Sequence, residues 1–252
     1  MIETSVKGAS LPNAYHQALV RLYTYGSETN CSDWNTNQLE LSMTMEVTDP
    51  LAEPMISKCF IGGPEELQQY VMEMLDGILD FEVDRGNWAY TYHQRYADQY
   101  KFVIDELRRN PSSRRAVMVI WDKTKDDYSD EPPCWNHCQF FIRDNKLDMK
   151  VLFRSNDACK ATFMNAFALI MLQKRIADEL GIDVGTYTHR ANSFHAYQKD
   201  WDLLRGYCKS ITESYDNAYY YDGGEDEDGW KEMMDDAIPD IFSKVERLKN
   251  NE

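Results

Sequence analysis

The segment SDEPPCWNHCQFFIRDNKLDMKVLFRSND spans residues 129–157, and its reading decides the fold. Pro132 and Pro133 close a polar loop, so Cys134 stands at a loop-to-strand junction. CQFFIRDNKLDMKVLF then reads as a β-hairpin turning at DNK, and the charged tetrapeptide RSND follows it. Cys134, His137 and Cys138 could be metal ligands, a packed pair of thiols, or the setting of a nucleophile. A structural zinc site wants four ligands in two spaced pairs, and no second Cys/His pair follows, so no metal is expected. Strand periodicity places Cys134 and Cys138 on one face, where both would serve as small core residues.

A catalytic thiolate needs a positive neighbourhood. Arg114, Arg115 and Arg154 supply one at strand ends. Adjacent residues on a strand point to opposite faces, so Arg114 and Arg115 cannot both serve one pocket in the same subunit. One of them could reach a partner subunit, or both could be solvated surface charges.

The rest of the chain reads as one mixed α and β domain over 1–252. It holds 252 residues with 43% hydrophobic content, enough for a substantial core. Apolar spacing predicts helices over 13–26, 64–77, 98–110 and 163–181, with glycines as stops at 26, 77 and 181. Strands are expected over 38–48, 114–121 and 186–198, and an acidic, glycine-containing surface loop over about 215–229. The six cysteines are scattered in a chain too long for a disulfide scaffold, so reduced thiols are expected. There is no secretion-type leader or membrane-length apolar run, which points to a soluble cytoplasmic protein. The net charge of −16, from 27 basic and 43 acidic side chains, argues against nucleic-acid binding. An anionic small substrate then requires a local arginine cluster.

SRR (113–115), PPC (132–134) with QF downstream, RSND (154–157), Asn165 early in a helix and HAY (195–197) share their order and spacing with one known family. Over about 110–201, and more faintly through YTYHQR (90–95), the chain resembles the thymidylate synthases. DEPPC, FIRDNKL, FRSND and HAYQKDW resemble their shorter microbial branch.

The resemblance implies an α+β domain with a large mixed sheet flanked by helices, forming a homodimer through the sheet. It implies transfer of a one-carbon unit from 5,10-methylenetetrahydrofolate to C5 of dUMP, giving dTMP and dihydrofolate. Cys134 is then the thiolate that adds to C6, because C5 is not nucleophilic until C6 is saturated. Arg154 and Ser155 are the in-subunit phosphate ligands, with Arg114 and Arg115 donated across the dimer as charge-assisted forks. Gln139 lies near the nucleotide, and Asp157 by the base and the folate. Asn165 reads the pyrimidine edge, donating to O4 and accepting from N3–H; related cytidylate hydroxymethylases carry aspartate there. A polar residue near a helix N-terminus is the plainer use of Asn165. His195 and Tyr197 share a strand face and bond the ribose hydroxyl. Tyr92 is the active-site tyrosine. The proton-handling glutamate is Glu66, with Glu65 and Glu73 as rivals on the same helix.

The pattern departs in places. Trp135 follows the cysteine where histidine is usual, KATFM (160–164) replaces Gly-x-Pro-Phe, and NCSDWNTNQ (30–38) lacks the phosphate-capping arginine of a mobile loop. A hydroxymethylase, which adds water rather than hydride to the same adduct, is the nearest alternative. A non-catalytic nucleotide-binding member is the second.

Overall fold

The computed structural model describes residues 1–220 and 229–250. The chain opens with β1 (Glu3–Gly8), α1 (Leu11–Tyr25), β2 (Ser27–Cys31), β3 (Thr36–Val47) and β4 (Ile56–Ser57). Three helices follow: α2 (Pro64–Asp76), α3 (Phe81–Asp84) and α4 (Tyr92–Arg109). β5 (Val117–Val119) and α5 (Lys123–Asp126) lead into β6 (Trp135–Arg143) and β7 (Lys146–Asp157). Then come α6 (Thr162–Leu180), β8 (Asp183–Tyr197), α7 (Trp201–Glu213), β9 (Tyr219–Tyr220) and α8 (Trp230–Asn250).

Seven strands form one mixed sheet in the order β1-β3-β8-β7-β6-β5, with β2 paired to β3. The β1–β3 and β7–β8 pairs are parallel and the others antiparallel. This is the α+β architecture with a large mixed sheet. Register makes its two faces explicit. Val6, Met45, His189, Val151, Cys138 and Met118 lie side by side across six strands, and all are buried. One residue along, Lys7, Glu46, Thr188, Lys150, Gln139 and Val117 form the next row, and none is buried. Helices α1, α4 and α6 pack on the sheet and close the apolar face into one core. The polar face is left open.

The hairpin forms where its sequence places it. Asp144 and Asn145 link β6 to β7 with φ of 50° and 59°, the left-handed pair that a tight two-residue turn requires. Gly77 and Gly181 end α2 and α6 in the same left-handed conformation. At Gly77 a Cβ would meet the His93 ring nitrogen at 2.2 Å, so the close approach also demands glycine.

Several expectations are corrected. The strand predicted over 114–121 pairs only at Val117–Val119, and Arg114 and Arg115 precede it as exposed residues. Their placement is therefore not set by strand alternation. A bulge lies between Trp135 and His137, which ends simple alternation between Cys134 and Cys138: Cys138 is buried in the core and Cys134 only half-buried. The helix expected from 98 begins at Tyr92, whose predecessor Thr91 caps it by accepting the Gln94 N–H. β1, β2, α7 and α8 were not expected. The predicted loop over 215–229 begins as a turn at Tyr215–Ala218 and the strand β9, which pairs with β4. Residues 221–228 of that loop lie outside the described residues. Among the described residues no helix is long and apolar enough to cross a membrane.

Candidate active site

Cys134 sits at the end of the 127–134 loop, immediately before β6, and is held from β7. The Arg154 N–H donates to the Cys134 carbonyl at 2.9 Å. Arg154 Nε donates to the Pro133 carbonyl at 3.0 Å and an Arg154 terminal nitrogen to the Pro132 carbonyl at 2.8 Å. Arg154 thus clamps the two-proline turn with its guanidinium and the cysteine with its backbone, and its third guanidinium nitrogen has no hydrogen bond among the described residues. The Cys134 thiol is pushed above its ordinary pKa by burial, and Arg154 pulls it part of the way back. The arginine cluster expected to hold a thiolate is incomplete in one chain. Arg114 contributes its carbonyl to Gln139 Nε2 at 2.8 Å, five residues along β6 from Cys134, roughly 17 Å at a strand's rise.

Four tyrosines surround the thiol, which raises the phenol pKa of Tyr70, Tyr90, Tyr92 and Tyr197 by its proximity, on top of the larger effect of burial. Tyr92 is the first residue of α4, and its hydroxyl accepts the Trp135 N–H at 3.4 Å. The Tyr92 ring meets the Trp135 indole edge-on at 5.6 Å. Tyr70 and Tyr90 were not singled out from sequence; the aromatic-rich stretch NWAYTY around Tyr90 was the available signal. Tyr70 donates its hydroxyl to the Asn165 side-chain carbonyl, joining α2 to the start of α6. Asn165 is buried, and its amide N–H groups make no hydrogen bond among the described residues.

A second cluster adjoins the first, because β7 and β8 run parallel with Asp157 opposite His195 and Ser155 opposite Ser193. One Asp157 oxygen accepts the Cys159 and Lys160 N–H groups at 2.9 and 3.0 Å, starting the turn into α6. Its other oxygen has no partner among the described residues. Burial pushes the Asp157 carboxyl up, and it pushes the His195 imidazole down, with Asp157 partly offsetting the latter. The His195 Nδ1 lies 3.5 Å from Ser155 Oγ and 3.4 Å from Ser193 Oγ, while its buried Nε2 has no partner among the described residues. The His195 and Tyr197 rings are 4.7 Å apart, as their shared strand face requires. Lys160 reaches Asp200 at 2.6 Å, so the KATFM departure places an ion pair beside Asp157.

The three candidate glutamates separate. Glu66 caps α2: its carboxylate accepts the Gly63 N–H at 2.7 Å. Glu65 and Glu66 are exposed and line a groove against Asp240 and Lys244 of α8, not the cysteine. Glu73, two turns along α2, lines a cavity of about 190 Å³ with Tyr70, Trp88, Tyr90 and Tyr92. Burial raises its carboxyl pKa against the opposing pull of Gln69, whose amide donates to it at 2.7 Å.

Cys134, Tyr92, Arg154, Ser155, Asp157, Asn165, His195 and Tyr197 thus gather at one end of the sheet. Arg114, Arg115, Gln139 and Glu66 do not join them within one chain. These features define an α+β protein built on one large mixed sheet, with a half-buried cysteine and several polar side chains gathered at one end of that sheet.

Known proteins share this plan. A family profile described as thymidylate synthase matches residues 66–215. A protein named "Putative thymidylate synthase" from Methanosarcina mazei is 36% identical over 217 residues, covering 82% of this chain and 95% of its own length. One of the same name from Methanocaldococcus jannaschii is 32% identical over 218 residues, covering 80% and 95%. The solved structure of the thermostable thymidylate synthase A from Bacillus subtilis matches with a TM-score of 0.64 at 19% identity, over 79% of this chain and 84% of that one, a likeness of fold. The chain belongs to the thymidylate synthase family.

Proposed function

We propose that the chain is a one-carbon transferase that converts dUMP to dTMP, with Cys134 as nucleophile. The observation that carries this reading is the half-buried Cys134, clamped by Arg154 and faced by the Tyr70–Asn165 and Asp157–His195 pairs at one sheet end.

In this reading the Cys134 sulfur, as thiolate, adds to C6 of the uracil ring. Electron density moves to C5 and O4, and C5 becomes the carbon nucleophile. Asn165 presents its free amide N–H to O4, where negative charge develops. The same side chain can accept from N3–H once the Tyr70 hydroxyl turns away. Glu73, rather than Glu66, handles protons at O4 and C5: it is the carboxyl that lines the tyrosine cavity, and burial holds its pKa closer to neutrality. In this reading His195 and Tyr197 bond the ribose; His195 Nε2 has no partner among the described residues.

The third guanidinium nitrogen of Arg154 and the Ser155 hydroxyl bind the phosphate in this reading, with Arg114 and Arg115 arriving from a second copy. The open polar sheet face, which carries Gln139 and Thr188, is the surface through which the homodimer forms in this reading. Phosphate and guanidinium charge from two chains would then restore the field that a single chain lacks, favouring the thiolate.

When bound, 5,10-methylenetetrahydrofolate supplies the one-carbon unit and the reducing hydride. The residues present suit it. The unpartnered Asp157 oxygen is an acceptor for the N–H-bearing edge of a reduced pterin. Asp157 also fixes the turn that starts α6, so its orientation is set before any ligand arrives.

A second reading, hydroxymethylation of the same ring, is favoured by one observation. The Lys160–Asp200 ion pair stands beside Asp157, next to the KATFM departure from the family's usual Gly-x-Pro-Phe, and charges there attract the water that a hydroxymethylase adds. Incubation with dUMP and methylenetetrahydrofolate, followed by product analysis, separates the two. dTMP with dihydrofolate is the expected outcome. 5-Hydroxymethyl-dUMP without dTMP selects the second reading, and unreacted dUMP overturns both.

A further inference from the structure

Helix α8 packs against one wall of the tyrosine cavity. Ile241 and Val245 of α8 bury against Met72 of α2 and against Leu79, and Leu79 lines the cavity together with Glu73. These four residues form a small cluster apart from the main core. Arg85, just after α3, donates to the Leu248 and Lys249 carbonyls in the last turn of α8, where carbonyls lack intrahelical donors. The helix is thus seated by its apolar face and by a cap at its end.

Lys244 neighbours the buried Val245 and is itself exposed. Its Nζ donates to Gln69 Oε1 at 2.8 Å, and Gln69 Nε2 donates to Glu73 Oε1 at 2.7 Å. The lysine head carries donors alone, so the amide atom that meets it must be the oxygen, and the amide N–H groups are left to face Glu73. An amide that donates to a carboxyl favours the carboxylate; turned around, it would accept and favour the neutral acid. The carboxylates of Glu65, Glu66, Asp236 and Asp240 line the same groove as Lys244, together with Arg247, yet Lys244 makes no ion pair among the described residues. Its hydrogen bond goes to the amide instead.

On the cavity side, Glu73 meets the phenols of Tyr70, Tyr90 and Tyr92, which burial keeps neutral. The second Glu73 oxygen makes no hydrogen bond among the described residues. Burial pushes the Glu73 carboxyl up; the Gln69 bond and the Lys244 charge both pull it back. The two opposing influences therefore arrive along one line of contacts, and that line begins on α8.

From the two-bond chain Lys244–Gln69–Glu73 and the packing of α8 on the cavity wall, we propose that Lys244 is a positioning residue for Glu73, a role that rests on Glu73 handling the protons at O4 and C5. Lys244 fixes the direction of the Gln69 amide. The amide holds one carboxyl oxygen and leaves the other for the cavity. The seating of α8 becomes a condition for the proton step, because a helix lifted off α2 takes the cation with it.

The test is a carboxyl ¹³C NMR titration of the full chain labelled at glutamate Cδ, with the Glu73 signal assigned by its loss in Glu73→Gln. In Lys244→Met the Glu73 midpoint is expected at higher pH than in the wild type, and Lys244→Arg should restore it. On a Gln69→Leu background, Lys244→Met should move the midpoint less than about half as far, because the amide carries the contact. Lys244 is exposed and outside the apolar cluster, so the melting temperature should not change. In turnover, the limb of the kcat–pH profile that Glu73→Gln removes should move to higher pH in Lys244→Met, with KM for dUMP unchanged. A midpoint unmoved by Lys244→Met, or moved equally with and without Gln69, would overturn the proposal. A Glu73→Gln protein with intact kcat would overturn the reading of Glu73 beneath it, and the midpoints would still decide the contact.

Discussion

Glu66 and Glu73 lie two turns apart on one helix, and replacing each in turn separates a structural carboxylate from a chemical one. The Glu66 carboxylate accepts the Gly63 N–H at the start of α2 and is otherwise exposed. Glu66→Ala removes that bond and an acidic group from the first helical turn, a loss of about 1 kcal/mol. For a chain of this size the melting temperature should fall by about 2–4 °C. Turnover should stay within about twofold, since the side chain faces α8 and not the cysteine. Glu73 faces Tyr70, Trp88, Tyr90 and Tyr92. Glu73→Gln keeps its shape and its neighbour Gln69 but cannot carry a proton to O4 or C5. General acid–base assistance is worth about 10²–10⁴ in rate, so kcat should fall by that factor, about 3–5 kcal/mol in barrier. Stability should hold or rise slightly, because a carboxyl whose charged form burial disfavours has been made neutral. The assay is kcat and KM for dUMP from product formation, beside thermal melts of both variants. A Glu73→Gln protein with near-normal kcat, paired with an inactive but stable Glu66→Ala protein, would refute the assignment.

Three further outcomes are expected. Burial lowers the pKa of His16 to about 4 and of His189 to about 3, while the unfolded chain binds these protons near pH 6.5. Stability is therefore full above pH 6.5 and falls as pH drops toward 4, at up to about 2.7 kcal/mol per pH unit for two protons; urea midpoints that stay flat from pH 7 to 5 would contradict this. Burial holds the Cys134 thiol above its ordinary pKa, so alkylation of the free protein by iodoacetamide should rise with pH past the range of an ordinary cysteine, and bound dUMP should slow it; a midpoint below the ordinary value would contradict the free-chain electrostatics. Asn165→Asp should shift nucleotide preference from dUMP toward dCMP in competition assays, and unchanged selectivity would remove Asn165 from base reading.

The hairpin was legible because its turn residues and its apolar runs agree: Asp144 and Asn145 tolerate left-handed backbone, and Cys138, Phe140, Met149 and Val151 alternate into the core. Gly77 and Gly181 were equally readable as helix stops. β1 escaped because six residues with exposed Lys7 and Glu3 carry too little apolar signal; its place comes from parallel pairing with β3, a contact distant in sequence. α7 contains Gly206, and α8 contains Pro239, and both obscure an amphipathic pattern that tertiary packing rescues. The gathering of Cys134, Arg154, Asp157 and His195 followed from ordered motifs. The bulge at Trp135–His137 had no local mark, and it breaks the alternation that would put Cys134 and Cys138 on one face. Glu66 and Glu73 lie on nearly the same side of α2, two turns apart, so the choice depends on how far along the helix the tyrosines pack, which is not visible until Tyr70 and Trp88 are in place.

The central claim, that the Cys134 sulfur bonds C6 of the pyrimidine and so activates C5, is tested most directly by release of tritium from [5-³H]dUMP in the presence of methylenetetrahydrofolate. Methylation and hydroxymethylation both expel the C5 hydrogen, so the measurement does not depend on which product forms. Wild-type protein is expected to release tritium to water on every turnover and Cys134→Ser to release none above background. Retention of the label by the wild type, or equal release by the serine variant, would contradict the account.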